Sequence, residues 1–227
     1  SMINPDSRRA CEVTCCGETL IATPERALYW PAQHALLLAD WHLGKAEVFG
    51  SRGLAIPAGS DERDFGRLAT LVETWGATKV MVLGDLMHAP PRQRDVWPQA
   101  LADWLRQFPQ VEMSVIAGNH DRVTIDALPE SLSTRLVWHA EPVKRGPFVL
   151  DHEPEESSDG YVLAGHLHPV FRLQVGRDRA RAPVFWFRDR YAVLPAFGSF
   201  TGGMNIKLTR GERIYMTGPD SVIEVVG

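Results

Sequence analysis

Cysteine is scarce and clustered. Only Cys11, Cys15 and Cys16 occur, all in one early segment, and an odd count with no later partner leaves no thiol to close a long loop. A disulfide-stapled secreted scaffold is therefore excluded, and a reducing cytoplasm is the expected compartment. Long apolar runs are missing as well, since none approaches the ~18 residues that a membrane-spanning helix needs. The opening INPDSRRACEV has no apolar stretch of the kind a secretion signal requires, and Ser1 ahead of Met2 reads as an expression scar. No low-complexity tract or internal repeat of useful period occurs, which removes solenoids and linker-rich architectures. Positive charge is not in excess either: a net charge of -4 argues against a surface that grips nucleic acid everywhere, while leaving room for a local basic patch.

What the chain does have is apolar content, 44% of 227 residues, enough to bury a sizeable core as one domain. ETLIA, ALYW and HALLLAD are short apolar runs set apart by Pro or polar residues, and they read as strands. Between residues 43 and 60 stand Gly44, Gly50, Gly53, Pro57 and Gly59, which predicts a loop. Ser60 is the expected N-cap of a helix, with Asp61 and Glu62 where the helix dipole favours negative charge. Phe65, Leu68, Val72 and Trp75 then share one helical face. KVMVLGD has almost no polar alternation, as a strand covered on both faces requires. Trp97, Leu101, Trp104, Leu105 and Phe108 recur at helical spacing, and MSVIAGN reads as the next strand. From about residue 136 the helical period vanishes, and FVLDH, YVLAGHLH, VFRLQV, PVFWF, YAVLP, NIKL and VIEVV are strand-like runs broken by Gly and Pro. A βαβαβ first half followed by a mostly β second half predicts an α/β sandwich, two stacked sheets with helices outside.

Five of the apolar runs end in metal-type donors: Asp40 and His42 after LLLA, Asp85 after VMVLG, Asn119 and His120 after SVIAG, His152 after FVLD, and His166 and His168 after VLAG. In an open α/β sheet ligands bind beyond the carboxyl ends of the strands, so strands of matching direction bring these groups together. Donors at i and i+2, as in Asp40-Trp41-His42 and His166-Leu167-His168, can turn toward one ion. The whole set exceeds one tetrahedral site and suits two ions sharing a carboxylate. With no thiolate among them, Mn²⁺, Fe or Zn²⁺ in a hydrolytic pair is expected rather than a structural zinc. Two divalent ions bring four positive charges against two from Asp40 and Asp85, so the site attracts an anionic phosphate ester. Such a pair clamps the attacking and leaving oxygens of an in-line displacement and lowers the pKa of a bridging water.

Read in order, DWH, GD, GNHD, a lone His and GHLH resemble the signature of the calcineurin-like metallophosphoesterases, from about residue 35 to 203. ADWHLGKAEVFGSRGLAIPAG, GDLMHAP, DHEP, AGHLHPVFRL and LPAFGSFTGG resemble one group of that family, the ligase-associated DNA-damage-response phosphoesterases (PdeM). The resemblance implies a metallophosphoesterase-type sandwich of two stacked mixed sheets flanked by helices. It also implies a manganese-dependent phosphodiesterase and DNA endonuclease, homodimeric, working beside a DNA ligase, a helicase and an exonuclease. Asp40, His42 and His168 would hold one ion and Asn119, His152 and His166 the other, with Asp85 bridging. His120 would act over the phosphate, protonating the leaving oxygen or stabilising the transition state, with Asp121 orienting its ring. The purple acid phosphatases carry a Tyr three residues after the GD aspartate; His88 stands there in this chain, against an iron(III)-tyrosinate site.

Other polar residues have more than one reading. His88 either supports the ligands, meets substrate or ends a turn. Arg172, Arg177, Arg179 and Arg181 form either a rail for a nucleic-acid backbone or a solvated hairpin. Lys45 and Arg52 are further phosphate-contact candidates. Phe197, Ser199, Phe200 and Thr201 lie in a Gly-rich run that implies a close backbone approach. His34 and His139 read as ordinary strand or surface residues, the three cysteines as strand positions, and Trp75, Trp97 and Trp104 as core. The expected activity is a binuclear phosphodiesterase on single-stranded or damaged DNA. The alternatives are a small phosphodiester or nucleotide as substrate, and a metal-binding scaffold without catalysis.

Overall fold

The computed structural model describes residues 9–54, 59–118, 121, 125–199 and 201–227. The first sheet has seven strands whose spatial order follows the chain: β1 (Cys11–Cys15), β2 (Glu18–Ala22), β3 (Leu28–Trp30), β4 (Ala35–Leu38), β5 (Lys79–Val82), β6 (Glu112–Ile116) and β7 (Leu136–His139). Strands β1 to β4 pair antiparallel and β4 to β7 parallel. Helices α1 (Lys45–Ser51) and α2 (Ser60–Trp75) connect β4 to β5, α3 (Trp97–Gln107) connects β5 to β6, and the short α4 (Glu130–Ser133) precedes β7. Parallel neighbours require such crossovers, and they point the carboxyl ends of β4, β5 and β6 the same way.

The second sheet runs β14-β11-β12-β13-β10-β9-β8, built from β8 (Val143–Arg145), β9 (Phe148–Leu150), β10 (Tyr161–Ala164), β11 (Pro169–Val175), β12 (Asp178–Phe187), β13 (Tyr191–Val193) and β14 (Met204–Asn205). β15 (Arg213–Thr217) pairs with β12, and β16 (Val222–Val226) with β15. β9, β10 and β13 are mutually parallel. This is the expected sandwich of two mixed sheets with helices outside.

Alternation along the first sheet explains its unbroken apolar runs. Ala35 and Leu37, with Met81, Leu83 and Ile116, face the second sheet and meet Phe148, Leu150, Leu163, Phe185 and Leu194. Leu36 and Leu38, with Val80, Val82, Met113 and Val115, face the helices and meet Leu68, Leu71, Leu101 and Leu105. Both faces are dry, so each position must be apolar. Trp97 and Trp104 are buried in the helix layer and Trp75 packs against it, as expected.

Three expectations need correction. The Gly-rich run from 43 to 60 is not all loop, because α1 forms within it. Gly44 starts that helix in the left-handed region (φ 82), and a Cβ there would lie 2.5 Å from the Trp97 ring. Ser60 is not the N-cap: Gly59, also left-handed, takes that position and Ser60 is the first helical residue. The parallel run extends beyond βαβαβ by one further strand, β7. The cysteines are free: Cys11 and Cys15 lie in β1, and Cys16 turns the chain at φ 53. Among the described residues no helix is long and apolar enough to cross a membrane.

Leu37 is completely buried between the sheets. Leu37→Ala is expected to remove about 2–5 kcal/mol of unfolding free energy, the usual cost of a core cavity, measured by urea denaturation.

Candidate metal centre

The donors expected from the strand ends converge. Asp40, His42 and His168 form one group and Asp85, His152 and His166 a second, with donor atoms in each group lying within 4.8 Å of one another. The i, i+2 spacing behaves differently in its two occurrences. Asp40 and His42 stay together, whereas His166 and His168 part into separate groups, so the idea that such a pair turns toward one ion holds only for the first.

Asp85 Oδ2 stands between the groups, 3.7 Å from His42 Nε2 and 3.7 Å from His152 Nε2. Within the first group His42 Nε2 and His168 Nε2 approach to 3.3 Å, and within the second His166 Nδ1 and His152 Nε2 approach to 3.2 Å. Two ring nitrogens brought this close both aim at one point.

The tautomers are set from behind. His152 Nδ1 lies 3.0 Å from Leu83 O and His168 Nδ1 lies 3.1 Å from Gly202 O. A carbonyl only accepts, so each Nδ1 carries the proton and each Nε2 presents a lone pair to the centre. The His152 ring is sandwiched between two backbone segments. A Cβ on Gly84 would overlap it outright, and one on Gly118 would come within 2.6 Å.

Five of the six donor residues have left-handed backbone: Asp40 (φ 55), His42 (φ 55), Asp85 (φ 51), His166 (φ 79) and His168 (φ 50). Each such non-glycine residue costs about 1–2 kcal/mol, and clusters of them mark sites where geometry outranks comfort. A ladder between the loops offsets the strain. Asp40 N donates to Gly84 O (3.2 Å), His42 N to Asp85 O (3.0 Å) and Leu43 N to Leu86 O (2.9 Å).

Asp40 is fully buried. Its Oδ2 accepts the His166 amide at 2.8 Å. Its Oδ1 accepts no hydrogen bond among the described residues and sits 3.5 Å from His168 Nε2. A buried carboxylate oxygen without a donor is costly, and a cation at this point satisfies it. Burial, reinforced by His168, His88 and Lys45 against the pull of Asp40, pushes His42 down to about 4, which leaves it neutral and able to ligate. Burial also raises Asp85. For His168 burial acts downward, but the adjacent Asp40 carboxylate, with the Gly202 carbonyl and Asp85, outweighs it and the net shift is upward. Oxygen and imidazole donors, one carboxylate per group and lone pairs turned inward fit divalent ions.

Asn119 and His120 lie outside the described residues, as does Phe200. Asp121 is buried, and its Oδ2 accepts the amides of Asp85 (3.0 Å) and Gly118 (3.2 Å). It therefore ties the strand end after β6 to that after β5. His88 is close to the first group, its ring 5.7 Å from that of His42 and 5.7 Å from that of Phe49. Burial pushes its pKa down, helped by Lys45 and Arg52. Lys45, at the start of α1, holds its ammonium 5.4 Å over the Phe49 ring, and burial lowers its pKa. Arg52 follows α1 and is exposed. His88, Lys45 and Arg52 thus gather on the His42 side, whereas Arg172 lies on the exposed β11–β12 hairpin, in register with Arg181.

One buried network was not anticipated. Asp64 on α2 accepts from the amide and hydroxyl of Ser199 and from Arg67, and Arg67 also donates to Phe197 O. This anchors the loop that supplies Gly202 O to His168 and the Gly198 amide to Asp40 O. In sequence Asp64 and Arg67 look like an ordinary i, i+3 pair on the polar side of a helix, and nothing marks them out.

A family model described as calcineurin-like phosphoesterase matches residues 34–194. The chain belongs to that family, among the phosphoester hydrolases, consistent with the PdeM-like group that its motifs resemble. It is similar to the nuclease MPE of Pseudomonas putida, at 34% identity over 94% of this chain and 100% of that one, with a TM-score of 0.80. YfcE, a phosphoesterase from E. coli, is 16% identical over 85% of this chain and 98% of that one, with a TM-score of 0.42, too slight a likeness to bear on substrate. No curated protein sequence matches.

Gly84→Ala is expected to displace His152 and weaken Mn²⁺ uptake by ~10–100-fold, the usual cost of disturbing a group that supports a ligand. Isothermal titration calorimetry of the apoprotein measures it.

Proposed function

We propose that the protein is a two-metal phosphodiesterase that cuts DNA internally, in the service of DNA repair. The observation that carries this reading is the meeting of two donor groups at Asp85, with the Nε2 lone pairs of His152 and His168 directed inward. Its likeness to a protein described as a nuclease adds weight. Asp40, His42 and His168 would hold one ion, and Asp85, His152 and His166 the other together with Asn119. Manganese is the first choice, iron or zinc the others; such ions supply charge neutralisation and an acidified water when bound.

The chain's own residues do the rest. His42, kept neutral by burial, ligates at physiological pH instead of repelling a cation. Asp85 presents one oxygen toward both groups. His120 is assigned to protonate the departing ester oxygen, and Asp121 to steady it while holding the loops around the centre together. Lys45, His88 and Arg52 would meet phosphate oxygens beside His42. The resemblance to the PdeM group further supports a cytoplasmic homodimer that works alongside a DNA ligase, a helicase and an exonuclease.

The net charge of -4 favours a second reading, hydrolysis of a small phosphodiester that touches only the centre. A closed circular single-stranded DNA and bis-p-nitrophenyl phosphate separate the two. Mn²⁺-loaded protein is expected to cleave both, since a closed circle has no end to degrade; hydrolysis of the small diester alone rejects the nuclease. Asp85→Ala and His168→Ala are each expected to lower Mn²⁺-dependent turnover by more than about a hundredfold, beyond the ~10–100-fold that supporting groups alone cost. Activity retained in a metal-defined assay refutes the two-metal reading, and inactivity of the loaded protein on every phosphodiester leaves a metal-binding scaffold.

A further inference from the structure

A surface depression beside His168 adjoins a second one, and shared lining residues make the two a groove. The first, about 180 Å³, is lined by His168, Gly202, Gly203, Arg181 and Arg26. The second, about 830 Å³, is lined by Arg26, Arg63, Arg67, Thr70 and Thr217. Arg26, Pro183 and Ser199 line both, so the groove leads from the metal centre along the side of α2. Its walls carry four arginines, Arg26, Arg63, Arg67 and Arg181, against one carboxylate, Glu25. In a chain of net charge -4, that concentration of one sign is a local property of this surface.

The arginines differ in what already engages them. Arg67 donates to Glu25 O, Asp64 and Phe197 O, and its guanidinium stacks 4.2 Å from the Phe197 ring centroid, so it builds the wall. Arg26 donates to Phe197 O at 3.1 Å, but its Nε is buried without a partner among the described residues. Burial, with the nearby Arg67, lowers its pKa to about 10, and it keeps its charge at neutral pH. Its backbone is left-handed (φ 71), held in a turn by the Arg26 amide to Thr23 O at 3.1 Å. Arg26 therefore lines both depressions as a cation whose guanidinium is only partly engaged within the protein, which suits it to an anion. Arg181 is fixed by its Nε to Asn205 Oδ1 at 3.2 Å. On the β11–β12 hairpin it shares a face with Arg172 and Arg179, opposite Phe171 and Leu173, which pack inward. The arginine face of the hairpin therefore continues the groove outward from His168.

We propose that this groove binds the sugar-phosphate backbone of a single nucleic-acid strand on one side of the bond being cut, with Arg26, Arg63 and Arg181 as phosphate-binding side chains. The inference rests on the phosphodiesterase reading and adds the location of the strand. The depression next to His168 is small, about 180 Å³, which suits a single strand better than a rigid duplex. No aromatic side chain other than His168 lines either depression, so there is no platform for stacking bases. Binding is therefore directed at phosphates and is indifferent to base sequence.

The test separates this inference from the nuclease reading by measuring binding without turnover. Fluorescence anisotropy follows a short fluorescein-labelled oligothymidylate, and in parallel an oligodeoxyadenylate, titrated with the full chain in chelator over a range of salt. The comparison is with Arg63→Glu/Arg181→Glu and Arg63→Lys/Arg181→Lys; both positions are exposed, and thermal melts check that the variants fold. The wild type is expected to bind both probes alike, and the Glu pair at least about tenfold more weakly, with a salt slope shallower by about 1.4, or ~0.7 for each phosphate no longer neutralised. The Lys pair is expected to retain most of the affinity. Equal affinity and slope for wild type and Glu pair, or no binding by the wild type, overturns the groove. Base-dependent binding overturns the backbone-directed recognition. If the Glu pair binds weakly but Mn²⁺-loaded wild type leaves a closed single-stranded circle intact, the groove stands and the nuclease reading falls. With metal present, the Glu pair is expected to lose at least about fivefold more activity on DNA than on bis-p-nitrophenyl phosphate, because a small diester does not extend along the groove. An equal fall in activity on the small diester and on DNA places the effect in the centre and overturns the proposal.

Discussion

The carboxylate of Asp40 is entirely shut off from water, and much of the centre follows from how that charge is accommodated. A buried carboxylate is costly unless donors and cations surround it. One oxygen is met by the amide of His166, a residue that leaves the second sheet, while the aspartate itself ends a strand of the first. Its backbone carbonyl accepts from Gly198 at 3.2 Å, and next to it Ala39 and Ala196 form a parallel bridge between the two halves. The sheets are thus stitched together at the point where the donors converge. The remaining oxygen faces His168 and the site of a cation. An ion there would strengthen the same junction that the sheets build.

The loop from 196 to 203 connects this junction to the exterior. It reaches Asp40 through Gly198 and His168 through Gly202, and Asp64 with Arg67 secures it to α2. Arg67, which holds the loop, also forms one wall of the groove leading away from His168. Positioning of the ligands and the proposed path for substrate are therefore built on one polar network, with α2 as its support.

Much of the site was legible because chemistry and strand ends coincide. Asp40, Asp85, His152 and His168 each follow an apolar run that had to be buried, and a charged or imidazole side chain just past such a run has few bland uses. The helices α2 and α3 were legible from their apolar spacing, although α2 begins on a left-handed Gly59 instead of a Ser60 cap. Helix α1 was hidden by glycines that normally signal a loop; Gly44 is required by the Trp97 ring packed against it, which arrives from a distant part of the chain. β7 and β15 were hidden because LVWH and RIYMT are short, and the His139 that ends β7 has no motif around it. Arg26, Asp64 and Arg67 gave no local signal, since their roles depend on a loop far away in the chain.

What the sequence determined by itself was composition and local pattern: which segments must be buried on two faces, which donors stand at their ends, and that oxygen and imidazole outnumber any thiol. These follow from burial and from side-chain chemistry, which are properties of neighbours along the chain. Only the tertiary structure decided how the donors divide. His166 and His168 are two residues apart yet belong to different groups, whereas Asp40 and His42, with the same spacing and the same left-handed backbone, stay together. It also decided that Asp85 lies between those groups, and that Arg181 rather than Arg172 lines the passage to His168. Such outcomes depend on strand direction, register and the crossing of two sheets, none of which is written in a spacing of residues.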